Sequence, residues 1–380
     1  MTKHITSTTT PSSLILTTRA SARATSRHHG VIAIAVACAL FGMHALSEEP
    51  GSSTPPKTKP IAKPDPGASN STPIKPEPAA KPGTVEAAAA PQDNDPAAVL
   101  AQGPASFDPS VSPQLSVVRS KSGQLLVHPT INGHSAGAFI FDSGAGICVV
   151  STPHVGKFGL KPAGSVSAAG VGGTKQSPVF RADTLTLGPA TFHDHPLMTT
   201  DLSFLKQYLG EEIVGIIGFG VLSQSIAEID LQAPRIALRD PATYVLAGGG
   251  WSPLALDDRI PAVTARFEDH DGLFKLDLGA NSPVTFYEAA VRKWSLLEGR
   301  ETSKAQTGGV GGFVAAQSGV LAWLEFGGMR QAEITATFIT EAKGAGAVRH
   351  RDGYIGVPLL KPFVIVFDYG HERVAFIKRP

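Results

Sequence analysis

The sequence predicts an all-β protein made of two similar halves with a few short helices. Three observations predict it. Landmarks of residues 113–245 recur in the same order in residues 246–380: Asp142 to Asp277 is 135 residues, Gly173 to Gly312 is 139, and Gly218 to Gly356 and Asp230 to Asp368 are both 138. Four landmarks at near-constant offset mark a duplication. Each copy consists of short runs rich in Val, Ile, Phe and Thr, punctuated by Gly, Pro, Asn and Asp, such as "QLLVHPTING", "DTLTLGPATF" and "EITATFIT". Helical signals are scarce. The best is "SPVTFYEAAVRKWSLL" (282–297), with Ser282 as cap and Pro283 at the first position, and "TPHVGKFGL" (152–160) is its shorter counterpart.

The elements follow in order. Residues 1–47 pair a basic flank (Arg19, Arg23, Arg27) with an uncharged apolar run, Val31 to Leu46, the pattern of an export signal peptide or a membrane anchor. That places the folded part outside the cytoplasm, periplasmic or tethered to the envelope through residues 31–46. Residues 48–112 are dense in Pro and Ala and hold few apolar residues to bury, which reads as a disordered linker. Globular sequence begins near Leu115. The first half carries "FIFDSGAG", a Gly-rich "AAGVGGTKQ", "VGIIGFGVLS" and "IAEIDLQAPRIALRD". The second answers with "LFKLDLGANS", "TGGVGGFVAAQ", "DGYIGVPLLK" and "FVIVFDYGHERVAFIKRP", after a connector, "PATYVLAGGGWSP".

Several functions are excluded. With 33 basic and 32 acidic residues the net charge is +1, so there is no electrostatic footprint for nucleic acid. Two cysteines, Cys38 and Cys148, make neither a disulfide framework nor a metal site, and Cys148 reads as a small buried hydrophobe. "FHDHP" (192–196) puts His193 and His195 on one face of a strand, but no third ligand accompanies them and an exposed turn is the simpler reading. Asp230 and Asp368 stand before matching turns, and a turn role suffices for them. Asp183 and Asp201 read as solvated positions.

An ionised carboxylate between two apolar strands, as in "FIFDSGAGICVVS", is costly unless something holds it. The ordered set of strand-Asp-Ser-Gly-Ala, a Gly-rich hairpin and an apolar-apolar-Gly stretch, found twice, resembles the retropepsin-like aspartic proteases, and "GGVGGFVAAQ" resembles the flap of the retroviral enzymes. The resemblance covers roughly 115–380. It implies a two-lobed pepsin/retropepsin-like fold in one chain, with bacterial envelope proteins of this kind the most similar, acting as a monomeric endopeptidase on peptide or protein substrates without a cofactor or metal. It further implies that Asp142 and Asp277 share one proton across a water molecule, the ionised acid activating the water and the neutral one protonating the carbonyl oxygen. By the same resemblance Ser143 bonds the opposite loop, Gly144 and Gly279 allow the loops to approach, and Ala145 and Ala280 leave room around the acids. Gly170, Val171, Gly172 and Gly173, with Gly309, Val310, Gly311 and Gly312, would be flap tips over the substrate.

One residue departs from the pattern. Leu278 stands where the family has Ser or Thr, so the second copy lacks the reciprocal hydroxyl, a loss of about 0.5–1.5 kcal/mol. An apolar neighbour should also make Asp277 the protonated partner. The alternative is a catalytically impaired protein that binds peptides without cleaving them.

Overall fold

The structure, a computed structural model, describes residues 95–379 and the backbone of 34–35 and 39–44. The expectations of an export segment over 1–47 and a linker over 48–112 otherwise lie outside the described residues, save at the linker's end. Among the described residues no helix is long and apolar enough to cross a membrane.

The protein is all-β. In the first half, the strand Ala138–Phe141 runs antiparallel to Leu125–Val127 and parallel to Ile213–Ile217. In the second half, His270–Asp277 is antiparallel to Ile260–Phe267 and parallel to Gly353–Gly356. The register is the same: Ile140 sits between Leu126 and Ile216, and Lys275 between Ala262 and Tyr354. Being covered on both faces, Ala138–Phe141 is apolar throughout, with no alternation. Phe139 and Phe141 enter a large core that continues into the second half through Phe274 and Leu276, whereas Ala138 and Ile140 enter a smaller apolar cluster with Leu126, Val149 and Ile216.

The halves are joined by a five-stranded sheet to which both contribute. Ile226–Asp230 and Arg235–Arg239 come from the first, Phe363–Asp368 and Arg373–Lys378 from the second. Ile226 pairs with Asp368, Glu228 with Val366 and Asp230 with Val364, a register symmetric about the centre of the two strands. The connector crosses this sheet, with Tyr244, Leu246 and Trp251 packed on Ile226, Val366 and Ala375.

Two expectations are corrected. The helix expected over 282–297 is confined to Glu288–Lys293, and Val284–Phe286 is a strand. Cys148–Ser151, followed by the 3₁₀ turn Thr152–Phe158, is its equivalent in the first half. Sheet pairing to Gly353–Gly356 and Ala336–Phe338 overrides the helical spacing of 284–286. Folded structure also begins before residue 113. Asp95 caps a short helix, Pro96–Val99, by accepting from the Ala97 N–H at 3.0 Å, and Val99 and Leu100 are buried. Ala105–Phe107 then adds a strand to Ala190–Phe192. A few apolar residues dock here because a sheet edge is already present to receive them.

A sheet built from both halves should make unfolding one event. Phe367→Ala, at a fully buried position in that sheet, is expected to cost about 3–5 kcal/mol and to lower the melting temperature of a single calorimetric transition. Two separable transitions would contradict the shared sheet.

Candidate active site

The two acid loops are built alike. Asp142 ends its strand with its N–H donated to the Ile217 carbonyl at 2.9 Å, and the Ala145 N–H then turns back to the Asp142 carbonyl at 3.3 Å. The Ala280 N–H makes the same bond to the Asp277 carbonyl, also at 3.3 Å. Ala145 and Ala280 each receive a bond at 2.9 Å from the residue after the structural glycine, Phe219 and Val357. A side chain on Gly218 would meet the Ala145 Cβ at 2.8 Å, and one on Gly356 would meet the Ala280 Cβ at 3.1 Å. Small residues are therefore required on both sides of each contact.

The loops meet face to face. The Gly279 N–H lies 3.1 Å from Asp142 Oδ1 and 3.0 Å from Asp277 Oδ1, so one donor serves both carboxyl groups. The Gly144 N–H donates to Asp142 Oδ1 at 2.7 Å. A Cβ on Gly144 would stand 2.6 Å from the Asp277 carboxyl carbon, and one on Gly279 would stand 2.7 Å from that of Asp142. Each glycine lies flat against the opposite acid. Ser143 Oγ donates to the Leu276 carbonyl at 2.7 Å and accepts from the Leu278 N–H at 3.1 Å, crossing between the halves. The Leu278 side chain is buried in the main core and has no hydroxyl to return the bond. A further tie comes from Gln124, fully buried, whose Nε2 donates to the Gly279 carbonyl at 3.1 Å.

Both carboxyl groups are fully buried. Burial first, and the charge of Asp142 second, push the Asp277 carboxyl well above the usual carboxylate range, against the opposing pull of the Lys275 ammonium and the Gly279 N–H. Burial of the whole site, more than the apolar Leu278, thus favours the neutral form of Asp277. Asp142 Oδ1 gathers two backbone donors, which favour a carboxylate. Tyr369, also buried, is pushed far up by burial first and then by both acids.

Two hairpins reach over the acids. Lys161–Gly170 turns into Gly173–Leu187 through Val171 and Gly172, and Thr302–Gly309 turns into Gly312–Phe326 through Val310 and Gly311. Gly311 has φ of 90°, a conformation that suits glycine. The tips touch: the Gly172 N–H donates to the Val310 carbonyl at 3.4 Å. They also cross over. Val171 of the first half joins Ala280, Tyr287 and Tyr354 of the second, while Val310 joins the apolar cluster of Ala145, Val166 and Ile216 in the first. A cavity of about 570 Å³ lies beside the tips, lined by Met198, Phe204, Tyr208 and Phe313 among others. The outer strands of the hairpins take up further chain. The backbone of 34–35 pairs with Ala168 and Ala169, and the backbone of 39–44 pairs antiparallel with 305–309.

Asp142, Ser143, Gly144 and Ala145 thus lie against Asp277, Leu278, Gly279 and Ala280, and the hairpin tips 170–173 and 309–312 touch each other. Two residues that bear on the acids stand outside the sequence motifs: Gln124, which holds the Gly279 carbonyl, and Lys275, whose charge acts on Asp277. Lys275 left a signal, since it is the charge in "LFKLD" where the first copy has Ile140 in "FIFD". Gln124 left little, because a polar residue opening a strand is ordinary.

Other expectations fare variously. "FHDHP" is not an exposed turn but part of the strand Ala190–Thr200. Asp194 at φ of 44° breaks the alternation, leaving His193 exposed and His195 fully buried. Cys148 is a buried free thiol that accepts from the Gly218 N–H at 3.3 Å, and burial pushes it up to about 11. Asp230 and Asp368 hold their turns, Asp230 Oδ1 accepting from the Gln232 and Ala233 N–H groups at 3.0 and 2.9 Å, and Asp368 Oδ1 from the His371 N–H at 3.2 Å.

A family model described as aspartyl protease matches residues 127–221, from the strand preceding Asp142 through Gly218 and into the short helix after it. No curated protein matches the chain. Together with the pepsin-like all-β fold, the match supports an aspartic-protease function in general and a peptide as the kind of molecule bound.

Two outcomes follow. Gly279→Ala should force the carboxyl groups apart and cost about 1–3 kcal/mol by overpacking, whereas Gly156→Ala, with open space around it, should leave the melting temperature nearly unchanged. Burial and the charge of Arg181 pull the His195 imidazole from 6.5 to about 4. The unfolded chain therefore binds a proton that the folded one refuses between those values. Stability should fall as pH drops from 6.5 to 4, by about 3 kcal/mol at most, and His195→Phe should flatten that slope in denaturant titrations.

Proposed function

We propose that the protein is a single-chain aspartic endopeptidase whose two halves act as lobes, each contributing one acid of an Asp142–Asp277 pair. The observation that carries this reading is the single Gly279 N–H shared between the two buried carboxyl groups. At that separation both cannot be ionised, and the pair titrates as a unit. Asp142, supplied with backbone donors, is the base that takes a proton from a water attacking the peptide carbonyl. Asp277, kept protonated by burial, gives its proton to the carbonyl oxygen. The resulting gem-diol collapses as Asp142 passes its proton to the departing amine and Asp277 recovers one from the hydroxyl, so the pair returns to its starting state.

The hairpins supply the substrate contacts. Their edges accept extended chain, as the pairing of 34–35 and 39–44 illustrates, and main-chain bonds of that kind give affinity with little sequence demand. The crossed valine tips exclude water from the reacting atoms. The protein would work as a monomer, because one chain carries both acids. Its basic and apolar N-terminus and Pro-rich linker fit an exported enzyme, periplasmic or held at the envelope through residues 31–46 once these leave the hairpin edges.

A second reading is a peptide-binding protein with impaired chemistry, and Leu278, which leaves the loop tie one-sided, favours it. Peptide-library cleavage by residues 95–380 across pH separates the two. For a protease, Asp142→Asn and Asp277→Asn each abolish turnover. Activity falls at low pH as Asp142 gains a proton and at high pH as Asp277 loses one, and the alkaline limb lies above the ordinary carboxylate range because Asp277 is raised. Leu278→Thr preserves or increases the rate. For a binding protein, the wild type cleaves nothing at any pH, while Gly311→Val weakens peptide binding. Loss of export on fractionation, with an intact N-terminus in the cytosol, would count against the location.

A further inference from the structure

The surroundings of the two acids differ in one respect that the duplication does not explain. Under Asp142 the matched positions Leu126, Ile140, Ile213 and Ile216 are apolar and buried together. Under Asp277 the corresponding positions are Ala262, Lys275, Arg351 and Tyr354. Lys275 is 1% exposed and stands two residues before Asp277 on the same strand, hence on the same face. Arg351, also 1% exposed, is committed elsewhere, to Asp257 at 2.7 Å and Asp258 at 2.6 Å. A buried ammonium without a counter-charge is strongly unfavourable, and the acid nearest to Lys275 along its strand is Asp277.

We propose that Lys275 is a positioning residue that acts as the fixed counter-charge of the acid pair, holding Asp142 and Asp277 in the singly ionised state. This rests on the aspartic-endopeptidase reading. With Lys275 charged, Asp142 ionised and Asp277 neutral, the buried group carries no net charge. Without Lys275 it carries one negative charge in a dry site, which favours taking up a second proton.

The groups facing Lys275 support this balance. The acids act on it from Asp277 and Asp142, Arg351 opposes from the segment before Gly353–Gly356, and Asp258 attracts from the turn before Ile260–Phe267. That strand presents Ala262 to it, without charge. Tyr354 pairs with it and Tyr287 lies beside Tyr354, both pushed above their ordinary range by burial, so neither carries a negative charge near neutrality. Tyr369, raised by the same acids, is neutral as well. Asp257 is held by Arg351 and His350. Burial pulls the Lys275 ammonium down to about 8 while the two acids hold it up, which favours the charged form through the acidic range.

The test is the pH profile of kcat/KM. Lys275→Met, and Lys275→Ile with the side chain that the first half carries in this place, should move both limbs to higher pH by about one unit or more, with about a tenfold loss of rate on the acid limb. Lys275→Arg should restore the original limbs. A lower rate with unmoved limbs in the neutral variants would overturn the proposal and leave Lys275 a structural residue. Carboxyl carbon NMR titration of Asp142 and Asp277 reads the same shift without turnover. If the wild type cleaves no peptide, the endopeptidase reading fails, yet the titration still decides whether Lys275 sets the pair's charge. Should no neutral variant fold, nitrogen NMR of the wild-type Lys275 amine decides: an amine already neutral at pH 5–6 overturns the proposal, and one still charged there supports it.

Discussion

Two carboxyl groups held against one N–H, away from water, set the terms for the rest of the molecule. Such an arrangement is unfavourable in isolation, because burial and mutual repulsion both act against ionisation. It persists because the loops carrying the acids are fixed from several sides. The Ser143 hydroxyl joins the backbone of the opposite strand at two points, Gln124 holds the Gly279 carbonyl, and the flat glycines let each loop rest on the other's acid. Removing any of these leaves a buried polar group without its partner, which costs more than the bond itself contributed.

Around that centre the molecule behaves as one body. The large core runs through both halves, and the five-stranded sheet is laced from both. Above the acids the hairpin tips exchange places, each valine packing into the half it does not belong to. The distance between the carboxyl groups is thus fixed from below by a sheet and from above by crossed tips. The loops need not store strain to stay together.

Duplication gave the halves a common plan, and the departures from it fall around the second acid. Leu278 replaces a hydroxyl residue, Lys275 replaces an isoleucine, and Arg351 and Tyr354 replace two more apolar residues. The first half surrounds its acid with hydrocarbon and backbone donors, and the second surrounds its acid with balanced charge. Two environments of that kind push the acids toward different protonation states, which is the condition for one to act as base and the other as acid.

The sequence by itself determined the class of fold and marked the repeat and the two candidate acids, because these depend on local pattern. Strand composition, turn residues and the repeated order of landmarks survive without knowledge of contacts. Asp142, Ser143, Gly144 and the two Gly-rich tips were legible for the same reason. Only the tertiary structure decided the rest. Val284–Phe286 became a strand because neighbouring strands offered it hydrogen bonds, against its helical spacing. Residues 95–107 became ordered because a finished sheet edge was there to receive them. The kink at Asp194 that separates His193 from His195 has no mark in a strand-like run. The approach of Gln124 to Gly279 spans 155 residues, and the charges that act on Lys275 come from Asp142 in the first half and from Asp258, Asp277 and Arg351 in the second. Such relations depend on distance in space, which spacing along the chain does not encode.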